Sequence, residues 1–383
     1  MNPPPLSLYV HLPWCVRKCP YCDFNSHKAG DDPPLERYVA ALLVDIEREA
    51  ARANDRMISS VFLGGGTPSL FPPQEIDRLL VAVHDCLNVA ADAEITMEAN
   101  PGTVECGTPA GYLAAGVNRL SIGAQSFDDG SLQKLGRIHG SEDICRAVEA
   151  AVEAGFDNLN LDLMHGLPGQ TPEMAVADLD RTISLGPAHI SWYQLTLEPN
   201  TIFHARPPGD LPDEDGLHAI QEAGAERLSG AGFEQYEVSA WARDGRRCRH
   251  NMNYWLFGDY LAAGAGAHGK VTGEKGASRY RKTANPAQYM NEIEAGGEVD
   301  RLEYVAEADL GLEFMINALR VREGFREAEF VERTGLSTHQ LGAMMRGPLE
   351  KGLIDRVEPD GWRPSTLGWR FLNDLQAEFL RDS

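Results

Sequence analysis

The chain has 383 residues, 43% hydrophobic and 24% charged, with 57 acidic against 35 Lys and Arg side chains and a net charge of −22. That length predicts one large and one small domain, and that composition is a folded protein's. The acidity counts against nucleic acid and anionic lipid as standing partners, because both would repel the protein on average.

The N-terminal stretch MNPPPLSLYVHLPWC lacks a basic n-region and a long apolar core. No later run has the length to cross a bilayer, so a cytoplasmic protein without direct membrane insertion is expected. Seven cysteines, an odd number, favour metal or redox chemistry over a disulfide framework. Cys86 and Cys145 sit in apolar helical patterns, and Cys106 and Cys248 have no assigned role.

Taken in chain order, residues 1–235 alternate strand and helix. Strands are predicted at Leu6–His11, Ser60–Leu63, Glu94–Glu98, Arg119–Ala124, Asn158–Leu163 and Ile190–Thr196. Amphipathic helices are predicted between them. LERYVAALLVDIEREA (35–50) places Leu35, Val39, Leu42, Leu43 and Ile46 on one face. EIDRLLVAVHDCL (75–87) and ICRAVEAAVEAGF (144–156) do likewise, the latter closed by Gly155. Six βα units imply a parallel sheet with helices outside it.

Within Glu94–Glu98, Arg119–Gln125 and Asn158–Leu163 the polar residues share one parity and the apolar residues the other. Side chains alternate faces along a strand, so helices cover the apolar face and the polar face lines an interior. Doubly wound sheets bury both faces and read as apolar runs. The fold class predicted is therefore α/β: an incomplete parallel (β/α)6-type barrel with a polar lumen. Glu98, Gln125 and Asp162 point inward near strand C-terminal ends, where barrel sites collect.

From about residue 236 the rhythm changes. The stretch 236–283 includes the aromatic, Gly-rich HNMNYWLFGDYLAAGAGAHGK (250–270) and is expected as a loop or lid at the barrel mouth. Residues 284–383 are expected as a mainly helical, winged-helix-like C-terminal domain, used for packing rather than for DNA.

CVRKCPYCDF (15–24) carries the chemistry. A glutaredoxin-like dithiol needs its own small βαβ domain, and a structural zinc site wants four ligands, for which no second Cys/His pair follows. Three thiolates on one loop suit a cubane with one iron left open.

The spacing Cys15-x3-Cys19-x2-Cys22, after the first strand, resembles the radical S-adenosylmethionine (SAM) signature. Gly64-Gly65-Gly66-Thr67-Pro68 after the second strand is similar to the glycine motif of the same family. The resemblance implies a [4Fe-4S] cluster on Cys15, Cys19 and Cys22, with SAM on the open iron. It further implies cofactor contacts from Tyr9, Tyr21, Gly65, Gly66, Thr67, Glu98, Gln125, Arg137 and Asp162.

MEANPGT (97–103), SIGAQSF (121–127), LGRIHG (135–140), NLDLMHGLPGQ (160–170) and WYQLTLEPNT (192–201) resemble the oxygen-independent coproporphyrinogen III oxidase family. Phe24 stands where the oxidases have a further Cys, and little chain precedes Cys15. Both departures, with His250-Asn251-Met252-Asn253-Tyr254-Trp255, resemble the heme-chaperone branch of that family. That branch implies heme as ligand, His250 as its leading contact with Cys248 as a weaker one, and transfer to acceptor proteins such as membrane respiratory enzymes. A homodimer is compatible with it, and the oxidase activity is the alternative expectation.

Overall fold

The computed structural model describes residues 3–106 and 108–380, except for the side chains of 104–106, among them Cys106. All six expected strands form: β1 (Leu6–Leu12), β2 (Ile58–Gly65), β3 (Val89–Ala99), β4 (Arg119–Gln125), β5 (Leu159–His165) and β6 (His189–Gln194). They pair in parallel and in chain order. The intervening helices include α1 (Leu35–Ala53), α2 (Pro73–Cys86), α3 (Ser141–Ala154), α4 (Pro172–Ser184) and α5 (Glu214–Gly230). Gly155 ends α3 in the left-handed region at φ 104°, the conformation that favours glycine there.

The alternation read from the sequence sets the two faces of these strands. Leu8, Val10, Val61, Leu63, Ile95, Met97, Leu120, Ile122 and Leu161 pack with Val39, Leu42 and Ile46 of α1 and Leu79 and Val83 of α2 in one apolar core. The opposite parity buries Ser7, Ser60, Glu94, Thr96, Arg119, Asn160 and His189, so the lumen is polar at every level.

The sheet continues at both ends. After β6 come two short antiparallel strands, β7 (Glu234–Gln235) and β8 (Ala240–Ala242). The stretch expected as a loop or lid is instead helix α6 (Arg249–Trp255) followed by β9 (Asp259–Ala263) and β10 (His268–Gly273). β9 pairs in parallel with the free edge of β1. Beyond it β10, β11 (Gly276–Lys282) and β12 (Asp300–Tyr304) run antiparallel. The twelve-stranded sheet is open, with order β12-β11-β10-β9-β1-β2-β3-β4-β5-β6-β8-β7. The sequence hid these strands because they are short and rich in Gly and Ala, which weakens a period-2 signal.

A buried ion cluster fastens the extension to α1. Lys282 Nζ lies 2.7 Å from Asp45, 2.8 Å from Glu49 and 2.8 Å from Asp300. Arg52 pairs with Glu49 and Asp300, and Tyr280 donates to Glu49. The three carboxylates converge as metal ligands would, but the Lys282 ammonium is the cation they hold.

Helix α7 (Pro286–Glu294) lies between β11 and β12. The C-terminal part of the chain forms α8 (Glu307–Ala318), α9 (Glu327–Thr334), α10 (Thr338–Glu350), a three-stranded antiparallel wing and two short closing helices, α11 (Thr366–Arg370) and α12 (Leu372–Ala377). Phe314, Phe330, Leu341, Trp362 and Leu375 form a second core, which also takes in Phe257 and Ala277 of the sheet extension. Among the described residues no helix is long and apolar enough to cross a membrane.

Candidate functional site

The cysteine loop leaves the C-terminal end of β1 and is pinned by its own backbone. His27 N–H donates to Pro13 O (2.7 Å), Ala29 N–H to Cys15 O (2.8 Å) and Cys22 N–H to Cys19 O (3.2 Å). Lys18 Nζ donates back to Phe24 O (3.1 Å) and Ser26 O (3.3 Å). The Asn25 amide latches the loop to the sheet extension, donating to Ala265 O and Ala284 O, each at 2.9 Å. Cys15, Cys19 and Cys22 are free thiols, half-buried, and all three border one cavity of about 390 Å³.

The glycine motif ends the neighbouring strand β2 and lines the same cavity beside the cysteine loop. At Gly66 a Cβ would stand 2.6 Å from Trp14 O, so the two loops meet at backbone distance. Gly65, at φ 113°, donates its N–H to Glu98 Oε2 (3.1 Å). Burial first, and the neighbouring Asp162 carboxylate second, push the Glu98 carboxyl up to about 8, against the opposing Gly65 N–H. Thr67 donates its N–H to Trp14 O (2.8 Å).

Asp162 accepts from Ser121 Oγ and Asn160 Nδ2, both at 2.8 Å. Gln125 follows a register shift in β4 and holds φ 70°, a left-handed conformation uncommon outside glycine. Arg137 donates to Gly123 O (2.9 Å) and toward Cys19 Sγ (3.6 Å), and its Nε is buried without a partner. Tyr21 packs on Phe203 with ring centroids 6.3 Å apart. Cys15, Cys19, Cys22, Tyr21, Gly65, Gly66, Thr67, Glu98, Gln125, Arg137 and Asp162 therefore line a single cavity.

Two expected residues are elsewhere. Tyr9 lies one layer deeper, its hydroxyl 3.0 Å from His11 Nδ1 and its ring 6.4 Å from that of His250. His250 belongs to α6, which stops the opposite, N-terminal end of the barrel rather than its mouth. Its Nδ1 is 3.3 Å from Ser60 Oγ, its ring 5.1 Å from Phe62, and it is 8% exposed. Burial, and then Arg119, push the imidazole down to about 3. A ring so enclosed has no open face for a macrocycle, so the expected heme contact does not match its position.

A chain of residues connects the two ends, of which the sequence offers only Cys248, as a weaker heme contact. Asn160 donates to Ser121 Oγ (2.7 Å) and pairs through Oδ1 with His189 Nδ1 (2.6 Å). His189 Nε2 meets Tyr236 OH (2.8 Å), which accepts the N–H of Cys248 at the start of α6 (3.2 Å). Asn160 shares the parity of Asp162, so its inward placement was readable; Tyr236 and Cys248 had no such signal.

A parallel partial barrel with three thiols on its first loop, glycines on its second and inward carboxyls on β3 and β5 defines a radical SAM protein. The Radical SAM superfamily model matches residues 9–182. Over 99% of both chains, the sequence is 47% identical to heme chaperone HemW of Escherichia coli and 46% identical to that of Haemophilus influenzae. It is 37% identical to the mitochondrial radical S-adenosyl methionine domain-containing protein 1 of Bos taurus, over 83% of this chain and 74% of that one. Coproporphyrinogen III oxidase (HemN) from Escherichia coli superposes with a TM-score of 0.83 at 25% identity, covering 98% of this chain and 90% of that one. The chain belongs to the HemW family of heme chaperones.

Proposed function

We propose that the protein binds heme and passes it to acceptor proteins, with a [4Fe-4S] cluster and SAM held in the barrel cavity. Three free thiols facing one cavity carry the reading. That donor set leaves a fourth position open, unlike a closed four-ligand site. In this reading Cys15, Cys19 and Cys22 hold the cluster, and Gly65, Gly66 and Thr67 lay backbone against the amino acid end of SAM. Glu98 takes its ammonium group, Arg137 its carboxylate, and Gln125 and Asp162 its ribose hydroxyls, while Tyr21 flanks it. Tyr9 supports this wall from beneath through His11. When bound and reduced, such a cluster supplies one electron to SAM; the chain's own groups bind, orient and exclude water.

The oxidase alternative has the fold likeness in its favour. Against it, Phe24, 60% exposed at the cavity edge, stands where the oxidases have cysteine. The 46–47% identity, over nearly the full length, with proteins named heme chaperones favours transfer of heme over decarboxylation. In this reading the protein works in the cytoplasm, singly or as a homodimer. It reaches membrane acceptors through protein contact, since its charge would repel anionic lipid.

Anaerobic reconstitution followed by parallel assays tests this. Heme binding at stoichiometric level without conversion of coproporphyrinogen III is the expected result. Turnover to protoporphyrinogen, or no heme binding by the wild type, would overturn it. Cys15→Ala is expected to abolish the cluster absorbance, and an unchanged iron content would remove Cys15 from the ligand set.

A further inference from the structure

The antiparallel extension carries an unexplained row of side chains beside the cysteine loop. His268 of β10 stands directly opposite Arg281 of β11, which stands opposite Arg301 of β12. Directly opposed residues of antiparallel strands project from the same face, so the three form one line across three strands, spanning about 10 Å. All three are exposed.

Arg281 and Arg301 have no hydrogen-bond or ion-pair partner among the described residues, and neither has the His268 imidazole. Glu292, a carboxylate in electrostatic reach of Arg301, is bound by Thr283 and Gln288 instead. Like charges directly opposite one another are destabilising. A chain of net charge −22 has acids in surplus, yet among the described residues none forms an ion pair with either arginine.

The same end of the sheet adjoins the cluster loop. Asn25 donates to Ala265 O and Ala284 O, just beyond the His268–Arg281 pair. Its neighbour Phe24 exposes an apolar ring, and His268 lies within electrostatic reach of His11. Partial desolvation, then Arg281 and Arg279, lower the His268 pKa and favour the neutral imidazole, whose lone pair can ligate.

We propose that the His268–Arg281–Arg301 row is the heme-docking surface, with His268 as axial ligand to the iron and the two arginines receiving the propionate carboxylates. The inference rests on the heme-binding reading above and assigns it a place. Imidazole is an ordinary axial ligand of heme iron, and guanidinium pairs with carboxylate in two parallel hydrogen bonds. Such a surface, open to solvent on one side, suits a ligand that has to be handed on.

Titration of cluster-loaded protein with hemin and with iron-free protoporphyrin IX separates the roles. His268→Ala is expected to shift the heme Soret band and weaken hemin at least tenfold, leaving protoporphyrin affinity unchanged. Arg281→Glu with Arg301→Glu is expected to weaken both ligands at least tenfold. Unchanged circular dichroism and cluster absorbance establish that each variant is folded. A His268→Ala variant with the wild-type heme spectrum and affinity overturns the proposal while leaving heme binding intact. A wild type that binds no heme overturns the functional reading as well.

Discussion

Glu98 is the residue whose protonation the cavity controls most directly. Its carboxyl, raised to about 8 by burial and by Asp162, keeps a proton that the unfolded chain has already lost. Between the ordinary carboxylate pKa of about 4.3 and pH 8, the folded state thus binds more protons than the unfolded one, and stability falls as pH rises. Glu98→Gln removes that slope. In the SAM-free protein we expect the variant to melt roughly 2–4 °C higher than wild type at pH 8. The two are expected to coincide near pH 4, which a thermal melt series across pH 4–9 checks. If Glu98 takes the SAM ammonium group, as proposed above, the order is expected to reverse when SAM is added. The cysteines, the glycines and the parity of Glu98 and Asp162 were all legible in the sequence, since spacing and alternation encode them. The left-handed turn at Gln125 was not, because a bulge shifts register without changing composition.

Helix α6 shows what a motif leaves unsaid about its place. His250-Asn251-Met252-Asn253-Tyr254-Trp255 reads as a polar aromatic cluster, and its polar atoms suggest ligand contact. In the structure several of them bond to neighbouring strands at the closed end of the barrel. Glu94 Oε1 accepts from Arg249 N–H (3.0 Å), His250 N–H (3.3 Å) and Cys248 Sγ (3.5 Å). Asn253 Nδ2 donates to Ser7 Oγ (2.9 Å) and Asp259 O (2.8 Å). Glu94 therefore caps α6 from β3, and its charge also faces the buried Arg119. Glu94→Ala is expected to cost about 2–3 kcal/mol, since it strands donors bonded to a charged acceptor. Glu94→Gln, which keeps a carbonyl acceptor, is expected to cost roughly half of that. Guanidinium unfolding midpoints measure both, and the hemin spectrum of each folded variant is expected to stay that of wild type. The parallel half of the sheet followed from amphipathic helices between alternating strands. The extension did not, because it joins the sheet through a long-range parallel pairing of β1 with β9, about 250 residues apart.

At the scale of the whole molecule, one buried ammonium joins the two halves of the sheet. Lys282 on β11 reaches Asp45 and Glu49 on α1 and Asp300 on β12, and Lys282, Asp45 and Glu49 are fully enclosed at the side chain. Tyr289 of α7 donates to Asp45 (2.8 Å), and Asp45 in turn accepts the N–H of Gly264 (3.0 Å) beside the Asn25 latch. The cluster thus fixes α1, the extension and, through residues 264–265, the cysteine loop in one arrangement. Removing one partner of a buried ion pair leaves an uncompensated charge, at a cost of about 3–5 kcal/mol. Lys282→Met is expected to lose that much in chemical denaturation. Because the penalty lies in the stranded carboxylates, adding Asp45→Asn and Glu49→Gln is expected to restore part of it, which surface ion pairs would not do. Raised salt is expected to leave the Lys282→Met loss nearly unchanged, since buried charges are weakly screened. If the loss instead disappears at high salt, the cluster is solvent-coupled and does not hold the halves together. Cluster retention gives an independent readout: in Lys282→Met, iron is expected to leave the cysteine loop faster than in wild type, because the Asn25 anchor points move with the extension.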